Sequence, residues 1–261
     1  MNLPSPSRKG AATLARVPAE VREALDRGLI ESVNLTECLA VDFAALMRHA
    51  LPDLPETTLE QLRNAATLGI SRRMTFAAEV AWRHGGTDAL ARFAAARSDT
   101  LRGWAACMAM RQPADGFARR LEAIRPFADD AHFGVREWAW MALRPWILED
   151  PDAAIAALVP WVSSPAPNLR RFASEATRPR GVWSAHIDLL KREPERGLPL
   201  LEPLRADPER YVQDSVANWL NDAGKTCPDW LRTLLARWRA ESSSPATAYI
   251  CRRAARSLGK H

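Results

Sequence analysis

The segment Ser98-Asp99-Thr100-Leu101-Arg102 carries the pattern that decides the fold: a polar turn, an aliphatic residue, a polar residue and then an Ala-rich run. Three later segments repeat this order, and their aliphatic positions follow one another after 34, 34 and 43 residues. They are Ala131-His132-Phe133-Gly134-Val135-Arg136, Ala166-Pro167-Asn168-Leu169-Arg170 and Pro208-Glu209-Arg210-Tyr211-Val212-Gln213. A fainter copy lies around Ile250, 38 residues further on. Similarity at such a period indicates a repeat protein.

Apolar residues between these segments recur every three or four positions, which predicts amphipathic helices, whereas runs of alternating β-branched residues are scarce. A period of about 40 residues is typical of HEAT-type repeats, in which helix pairs bury their apolar faces against neighbouring pairs. The predicted fold is therefore all-α, a HEAT-like solenoid of roughly six repeats with a concave groove. We expect residues 1–261 to form one domain, with residues 1–40 as a helical capping segment. The aliphatic repeat residues should occupy equivalent buried positions; they are Leu101, Val135, Leu169 and Val212.

The composition and the missing motifs exclude several classes of protein. Hydrophobic residues make up 47% and charged residues 26% of the chain, which is typical of a folded globular protein. No apolar run approaches the roughly 20 residues of a transmembrane helix, and Arg8, Lys9 and Arg16 interrupt the start of the chain. We expect a monomer in the cytoplasm, without a membrane anchor. Metal-binding Cys and His spacings and nucleotide-binding motifs are absent, so no metal and no organic cofactor are expected.

Arginine dominates the positive charge of this chain. The formal net charge is +5, and only four of the 36 basic residues are lysines. A GC-rich coding bias gives the same excess, so the positions of the arginines are more informative than their number. Basic residues gather in the middle of the chain and at four-residue spacing near its end; they are Arg170, Arg171, Arg178 and Arg180, then Arg252, Arg256 and Lys260. Such patches indicate a polyanionic partner, since the guanidinium group binds phosphate well.

Tryptophan and carboxylate residues provide candidates for a site. Trp183 lies in a predicted loop between helices, where an indole among arginines suits stacking on a base or sugar. Carboxylates fall near the starts of successive repeats, at Glu137, at Glu175 and at either Asp214 or Asp222. Equivalent positions of neighbouring repeats lie on one surface, so these groups are predicted to converge. The alternative is that each carboxylate pairs with a local arginine, as Glu175 can with Arg171 four residues earlier.

Four longer strings resemble a known family. They are Asn34-Leu35-Thr36-Glu37-Cys38-Leu39-Ala40-Val41-Asp42-Phe43, Val135-Arg136-Glu137-Trp138-Ala139, Ser174-Glu175-Ala176-Thr177-Arg178-Pro179-Arg180-Gly181-Val182-Trp183 and Val212-Gln213-Asp214-Ser215-Val216-Ala217-Asn218-Trp219-Leu220-Asn221-Asp222. Together they resemble the HEAT-repeat DNA alkylation repair glycosylases, and the AlkC branch more than the AlkD branch. The resemblance covers essentially the whole chain. One departure is Ala176, where the family pattern leads us to expect glycine.

The resemblance implies a monofunctional DNA glycosylase that releases cationic N-alkylated bases, notably 3-methyladenine and also 3-methylcytosine, from double-stranded DNA. It implies that the lesion is held without rotation of the base into a deep pocket. Active-site positions of the family fall on Glu137, Glu175, Trp183 and Asp222. Arg170 and Arg171 match a helix that contacts phosphates, and Trp219 matches an aromatic residue that lines the site in the AlkD branch.

The chemistry of such a reaction agrees with these residue types. Departure of a neutral base from a cationic nucleoside leaves positive charge on the sugar, which carboxylates and indole faces stabilise. One carboxylate can also orient a water molecule towards C1′, as in inverting glycoside hydrolysis. The alternative reading is a non-catalytic HEAT-repeat module that binds nucleic acid or protein. Carboxylates that converge beside Trp183 favour the enzyme, and a groove lined only by arginines favours the module.

Overall fold

The computed structural model describes residues 3–259, so the predicted phosphate contact of Lys260 lies outside the described residues. Helices joined by short turns make up these residues, and no strand occurs among them. The all-α prediction is therefore confirmed. The chain divides into two compact units, of which unit 1 contains residues 1–113 and 130–142 and unit 2 contains residues 114–129 and 143–261. The single domain predicted for residues 1–261, with its capping segment 1–40, stays a prediction.

Unit 1 is built from short helices followed by one long helix. Its helices are α1 (Ala19–Asp26), α2 (Leu35–Ala40), α3 (Phe43–Ala50), α4 (Glu56–Asn64), α5 (Ile70–Ala94) and α6 (Asp99–Ala109), with 3-10 turns at Leu14–Arg16 and Ala65–Thr67. Helix α5 is kinked at Gly86, whose φ of +49° is accessible to glycine at little cost. Helices α5 and α6 pack together, and the fully buried Trp104 of α6 meets Phe43 edge to face at 5.2 Å.

Unit 2 contains α7 and the helices that follow α8. The remaining helices of the chain are α7 (Gly116–Ala128), α8 (Phe133–Glu149), α9 (Pro151–Leu158), α10 (Pro167–Ala176), α11 (Asp188–Arg192), α12 (Leu198–Leu204), α13 (Arg210–Gly224), α14 (Pro228–Glu241) and α15 (Pro245–Ala254), with 3-10 turns at Val159–Ser163, Pro194–Gly197 and Ala255–Ser257. Helix α8 begins in unit 1 and continues into unit 2 from Leu143. Prolines open α9, α10, α14 and α15, where their missing N–H is not needed. Helix α13 packs against α10, α14 and α15. No helix among residues 3–259 has the length and apolar character to cross a bilayer.

The pattern shared by the segments around Leu101, Val135, Leu169 and Val212, here called the repeat phrase, has the same position in four helices. Its aliphatic residue is the third residue of α6, α8, α10 and α13, and none of the four is more than 8% exposed. The predicted equivalence of Leu101, Val135, Leu169 and Val212 is therefore confirmed. Ile250 is also buried, but it is the sixth residue of α15, so the fainter copy is not in the same register.

The polar residue that follows the aliphatic one holds the preceding turn. The side chain at this position donates to the carbonyls five and six residues earlier in all four copies, at Arg102, Arg136, Arg170 and Gln213. Arg102 and Arg170 also pair with Asp130 and Asp207, respectively. Each of these aspartates lies three residues before a helix and accepts a backbone N–H two residues later. The phrase thus encodes a turn in all four copies and, at Arg102 and Arg170, also an ion pair to an aspartate that precedes a later helix.

Candidate functional site

The predicted site residues are divided between the two units. Glu137 lies on α8 in unit 1, where its Oε2 accepts a hydrogen bond from Trp140 Nε1 at 2.8 Å. Trp138 and Trp140 are both buried in this helix, although they lie on different sides of it. Glu175, Trp183 and Asp222 belong to unit 2.

Arg178 bridges two buried carboxylates of unit 2. Its Nη1 donates to Glu175 Oε1 at 2.8 Å, and its Nε and Nη2 both donate to Asp222 Oδ2, at 2.9 and 2.7 Å. Glu175 is near the C-terminal end of α10 and Asp222 is near that of α13, so the packing of these helices brings the two groups to one guanidinium. The predicted convergence of Glu175 and Asp222 is therefore present within unit 2, through an arginine that lies between them.

Further polar groups surround this bridge. Ser215 Oγ donates to Glu175 Oε2 at 2.7 Å, and Lys225 Nζ donates to Asp222 Oδ1 at 2.9 Å. Burial alone would favour the neutral form of Glu175, but Arg171, Arg178 and Ser215 outweigh it, and the pKa of this carboxyl lies below its ordinary value. Glu175 is therefore ionised at neutral pH. Burial likewise opposes the charge of Arg178, but its two carboxylate partners raise the pKa of the guanidinium above its ordinary value.

The loop between α10 and α11 presents Trp183 to solvent. Trp183 is 47% exposed and its neighbour Val182 is 54% exposed, so the tip of this loop is apolar. Among the described residues, Trp183 is the one non-glycine residue with positive φ, at +58°. A bulky side chain in this region carries strain of about 1–3 kcal/mol, which concentrates at functional sites. The exposed loop indole predicted from the sequence is present.

Arg144 lies beneath this loop, and the sequence interpretation missed it. The residue is 1% exposed and donates to three backbone carbonyls: Nη1 to Ala176 at 2.7 Å, Nη2 to Arg178 at 2.6 Å and Nε to Ala185 at 3.0 Å. Burial, with the nearby charge of Arg178, lowers the pKa of Arg144 to about 10, so the group is still charged at neutral pH. Its signal in the sequence is an arginine inside the apolar run of α8.

Trp219 is a core residue rather than part of an open surface. Its ring is fully buried, and its Nε1 donates to the carbonyl of Thr177 at 3.0 Å. Gly197 packs so closely that an added Cβ would lie 2.4 Å from a ring carbon. The predicted DNA contact of Trp219 is therefore not supported, because protein atoms enclose the indole on all sides.

The arginines of α10 and its following loop already have partners. Arg170 uses four of its five N–H groups, two on the carbonyls of Ser164 and Pro165 and two on Asp207. Arg171 lies 3.6 Å from Glu175 Oε2 and 4.2 Å from the Tyr211 ring centroid. Arg180 donates to the carbonyl of Asp222 at 3.3 Å. These contacts hold the helices together, and phosphate binding by the same arginines remains a prediction.

A second group of arginines surrounds Tyr249 on α15. The guanidinium of Arg210 lies 3.5 Å from the ring centroid, and those of Arg252 and Arg253 lie 5.3 and 5.6 Å from it. Arg256 is exposed and donates to Asn218 Oδ1 at 2.7 Å. Helix α15 ends at Ala254 and Arg256 lies in the 3-10 turn that follows, so the four-residue spacing of Arg252 and Arg256 does not place them on one α-helix. Sequence spacing did not identify Arg210, which belongs to a different helix.

No three His, Cys, Asp or Glu side chains among residues 3–259 are gathered in a way that could hold a metal ion. The polar groups of the candidate site are instead carboxylates, arginines and hydroxyls. Their arrangement can stabilise positive charge through Glu175 and Asp222, and it can bind anions through the exposed Arg252 of α15 and Arg256 of the following 3-10 turn.

A known family and one relative each match more than half of this chain. The sequence profile of the DNA alkylation repair enzyme family matches residues 105–258. An uncharacterized protein of Bacillus subtilis, YhaZ, is 38% identical over 145 residues, which are 56% of this chain and 39% of YhaZ.

Solved structures show similar helical repeats. The Pseudomonas fluorescens alkylpurine DNA glycosylase AlkC, solved with DNA containing an abasic site analog, superposes with a TM-score of 0.67 at 25% identity, over 95% of this chain and 65% of AlkC. AlkD2 of Streptococcus mutans superposes with a TM-score of 0.51 at 18% identity, over 82% of this chain and 96% of AlkD2, and shares the fold. This chain therefore spans less than two thirds of YhaZ and of AlkC.

Proposed function

The chain belongs to the DNA alkylation repair enzyme family, and we propose that it is a DNA glycosylase that excises cationic N-alkylated bases from double-stranded DNA. The observation that carries this proposal is the pair of buried carboxylates, Glu175 and Asp222, held by Arg178 within the segment that matches the family. AlkC, whose structure is similar to that of this chain, is an alkylpurine DNA glycosylase and was solved bound to DNA. This similarity supports the same class of reaction.

The proposed chemistry follows from the charge of the lesion. An N3-alkylated adenine is cationic, so its glycosidic bond is weak and the base leaves as a neutral molecule. Positive charge then develops on the sugar, where a preorganised carboxylate stabilises it more than it stabilises the ground state. A carboxylate must be ionised to do this, and the lowered pKa of Glu175 meets that requirement. As the bond from C1′ to the base breaks, a water molecule bonds to C1′ and gives its proton to a carboxylate, so hydrolysis needs no cofactor.

We assign the remaining roles by residue. Trp183 supplies an aromatic wall against the sugar or base, because its indole is exposed in a constrained loop. The family resemblance adds Glu137 as a third carboxylate. Phosphate contacts are assigned to arginines of α10, the following loop and the C-terminal region; they are Arg170, Arg171, Arg178, Arg180, Arg252 and Arg256.

The finer assignments belong to the same proposal. The substrates are 3-methyladenine and 3-methylcytosine, and the base is excised without being rotated into a deep pocket. The protein acts as a monomer in the cytoplasm, and its helical repeats bind the duplex.

The direct test is base release. Purified protein is incubated with methylated duplex DNA, and the released bases are separated and identified by mass. The proposal predicts that free 3-methyladenine is released and that abasic sites remain in the DNA. Heat-denatured protein serves as the control for spontaneous depurination. Release at the spontaneous rate would contradict the proposal.

A specific observation favours a non-catalytic binding module as the second candidate. Arg178 neutralises part of the charge of both carboxylates, as in an ion-pair network that only holds two helices together. This alternative predicts binding of duplex DNA with no release of base.

A further inference from the structure

We propose that Arg144 is a positioning residue for base excision: it fixes the loop between α10 and α11 and thereby the orientation of Trp183. This inference rests on the proposed glycosylase function for its effect on rate. Its structural part, the fixed loop, can be tested without any activity.

Arg144 joins both arms of the loop. Its Nη1 and Nη2 bind the carbonyls of Ala176 and Arg178, before the loop tip, and its Nε binds the carbonyl of Ala185, after it. The Ala176 carbonyl ends α10, where helix carbonyls have no partner within the helix. One planar guanidinium therefore satisfies three backbone acceptors that regular secondary structure leaves unpaired.

Two other side-chain contacts hold the first part of the loop: Trp219 Nε1 donates to the Thr177 carbonyl, and Arg180 Nε donates to the carbonyl of Asp222. Among the described residues, the backbone hydrogen bond that closes it runs from Ile187 N to the Pro179 carbonyl at 3.0 Å. Its tip carries the exposed Trp183 in the left-handed region, a conformation that persists only when its surroundings impose it. Arg144 supplies that constraint from below.

A purely apolar packing role does not account for a buried arginine. Burying a charge is costly, and an apolar side chain of similar size would fill the same space without that cost. Every hydrogen bond found for Arg144 ends on a backbone oxygen of this loop or at its start. One of them holds the backbone of Arg178, whose side chain bridges Glu175 and Asp222. The loop indole and the carboxylate bridge are thus tied to one residue.

The test uses Arg144→Lys, which keeps the charge but cannot reproduce three donors in one plane, and Arg144→Gly with added methylguanidinium. Arg102→Lys is the control, since Arg102 is a partly buried arginine that also donates to turn carbonyls, in unit 1. Three quantities are measured: hydrogen exchange of residues 179–187, single-turnover release of 3-methyladenine, and affinity for undamaged duplex.

We expect faster exchange of residues 179–187 in both Arg144 variants and not in Arg102→Lys. Base release should fall on the order of 10²-fold, as for a misplaced reacting group, with unchanged affinity for undamaged duplex. Methylguanidinium should restore release by Arg144→Gly. In a Trp183→Ala background, Arg144→Lys should cause a smaller loss of rate than in the parent, because the part of its effect that acts through Trp183 is already lost.

Unchanged exchange of residues 179–187 would overturn the proposal, as would an equal loss of rate with and without Trp183. If the parent protein releases no base, the glycosylase proposal fails, and the exchange measurement still decides whether Arg144 fixes the loop.

Discussion

Arg178 Nε and Nη2 both donate to a single oxygen of Asp222, Oδ2, at 2.9 and 2.7 Å. The remaining Nη1 reaches Glu175, so one guanidinium separates two carboxylates that come from different helices. Asp222 Oδ1 is left to the exposed ammonium of Lys225. The candidate site is thus a charge cluster built from three side chains: Glu175, Arg178 and Asp222.

Removal of the bridging charge should destabilise the protein in a pH-dependent way. Arg178→Gln leaves two buried carboxylates without their shared partner, and such a loss costs about 3–5 kcal/mol at neutral pH. The pKa of Glu175 should then rise, because one of the two arginines that oppose the effect of burial is gone, so the folded variant takes up a proton at a higher pH than the folded parent does. The loss in free energy of unfolding relative to the parent, measured with urea, should therefore be smaller at about pH 5 than at pH 7. A loss in free energy of unfolding that does not change with pH would contradict the claim that Arg178 stabilises the ionised carboxylates.

Glu175 should contribute to acid unfolding of the parent protein. Its pKa lies below the ordinary 4.5, so its stabilising effect is fully present above that pH and is lost as the pH falls further. The free energy of unfolding, measured with urea between about pH 5 and 3, should fall more steeply in the parent than in Glu175→Gln. Parallel curves would show that Glu175 is not held in its ionised form.

Arg170 should contribute to the folding stability of the protein, independently of any contact with DNA. Four of its N–H groups are used within unit 2, so Arg170→Ala should lower the free energy of unfolding by about 3 kcal/mol. Arg102→Ala removes the same arrangement in unit 1 and should cost a similar amount. Chemical denaturation measures the free energy of unfolding of both variants. A loss below about 1 kcal/mol is typical of an exposed ion pair and would contradict this prediction.

The arginines near the C-terminal end should govern the salt dependence of binding. Arg252 and Arg256 are exposed, so the double variant Arg252→Gln/Arg256→Gln should keep the stability of the parent. Each lost phosphate contact should reduce the slope of log affinity against log salt by about 0.9. The control is Arg232→Gln on α14, an exposed arginine that pairs with Asp229. An unchanged slope in the double variant would remove these two residues from the DNA interface.

The repeat phrase predicted the fold well because it encodes local structure. A polar turn, a buried aliphatic residue and an Ala-rich run act within one helix start, and Leu101, Val135, Leu169 and Val212 take the same place in four helices. The register was lost at Ile250, where Pro245 opens the helix earlier relative to the aliphatic residue.

The candidate site was only partly predictable, since its contacts join distant segments. The four-residue spacing on a helix predicted that Glu175 contacts Arg171. It did not predict that Arg178 connects Glu175 to Asp222, which lies 44 residues after Arg178. Arg144 contacts its loop across 32 to 41 residues, and Trp219 is enclosed because Gly197 leaves room for its ring. Such pairings arise from helix packing, which the sequence pattern describes only as an apolar face.

The most direct test of the account is single-turnover release of 3-methyladenine by Glu175→Gln and Asp222→Asn, beside their affinity for duplex that carries an uncleavable lesion analogue. Asp130→Asn is the control, as it disturbs a partly buried ion pair with Arg102 in unit 1. We predict release by the parent and by the control, and a loss of about 10²–10³-fold in rate for each site variant with little change in affinity. Release at the parental rate by both site variants and by their combination would contradict the account and leave these carboxylates as structural ion-pair partners.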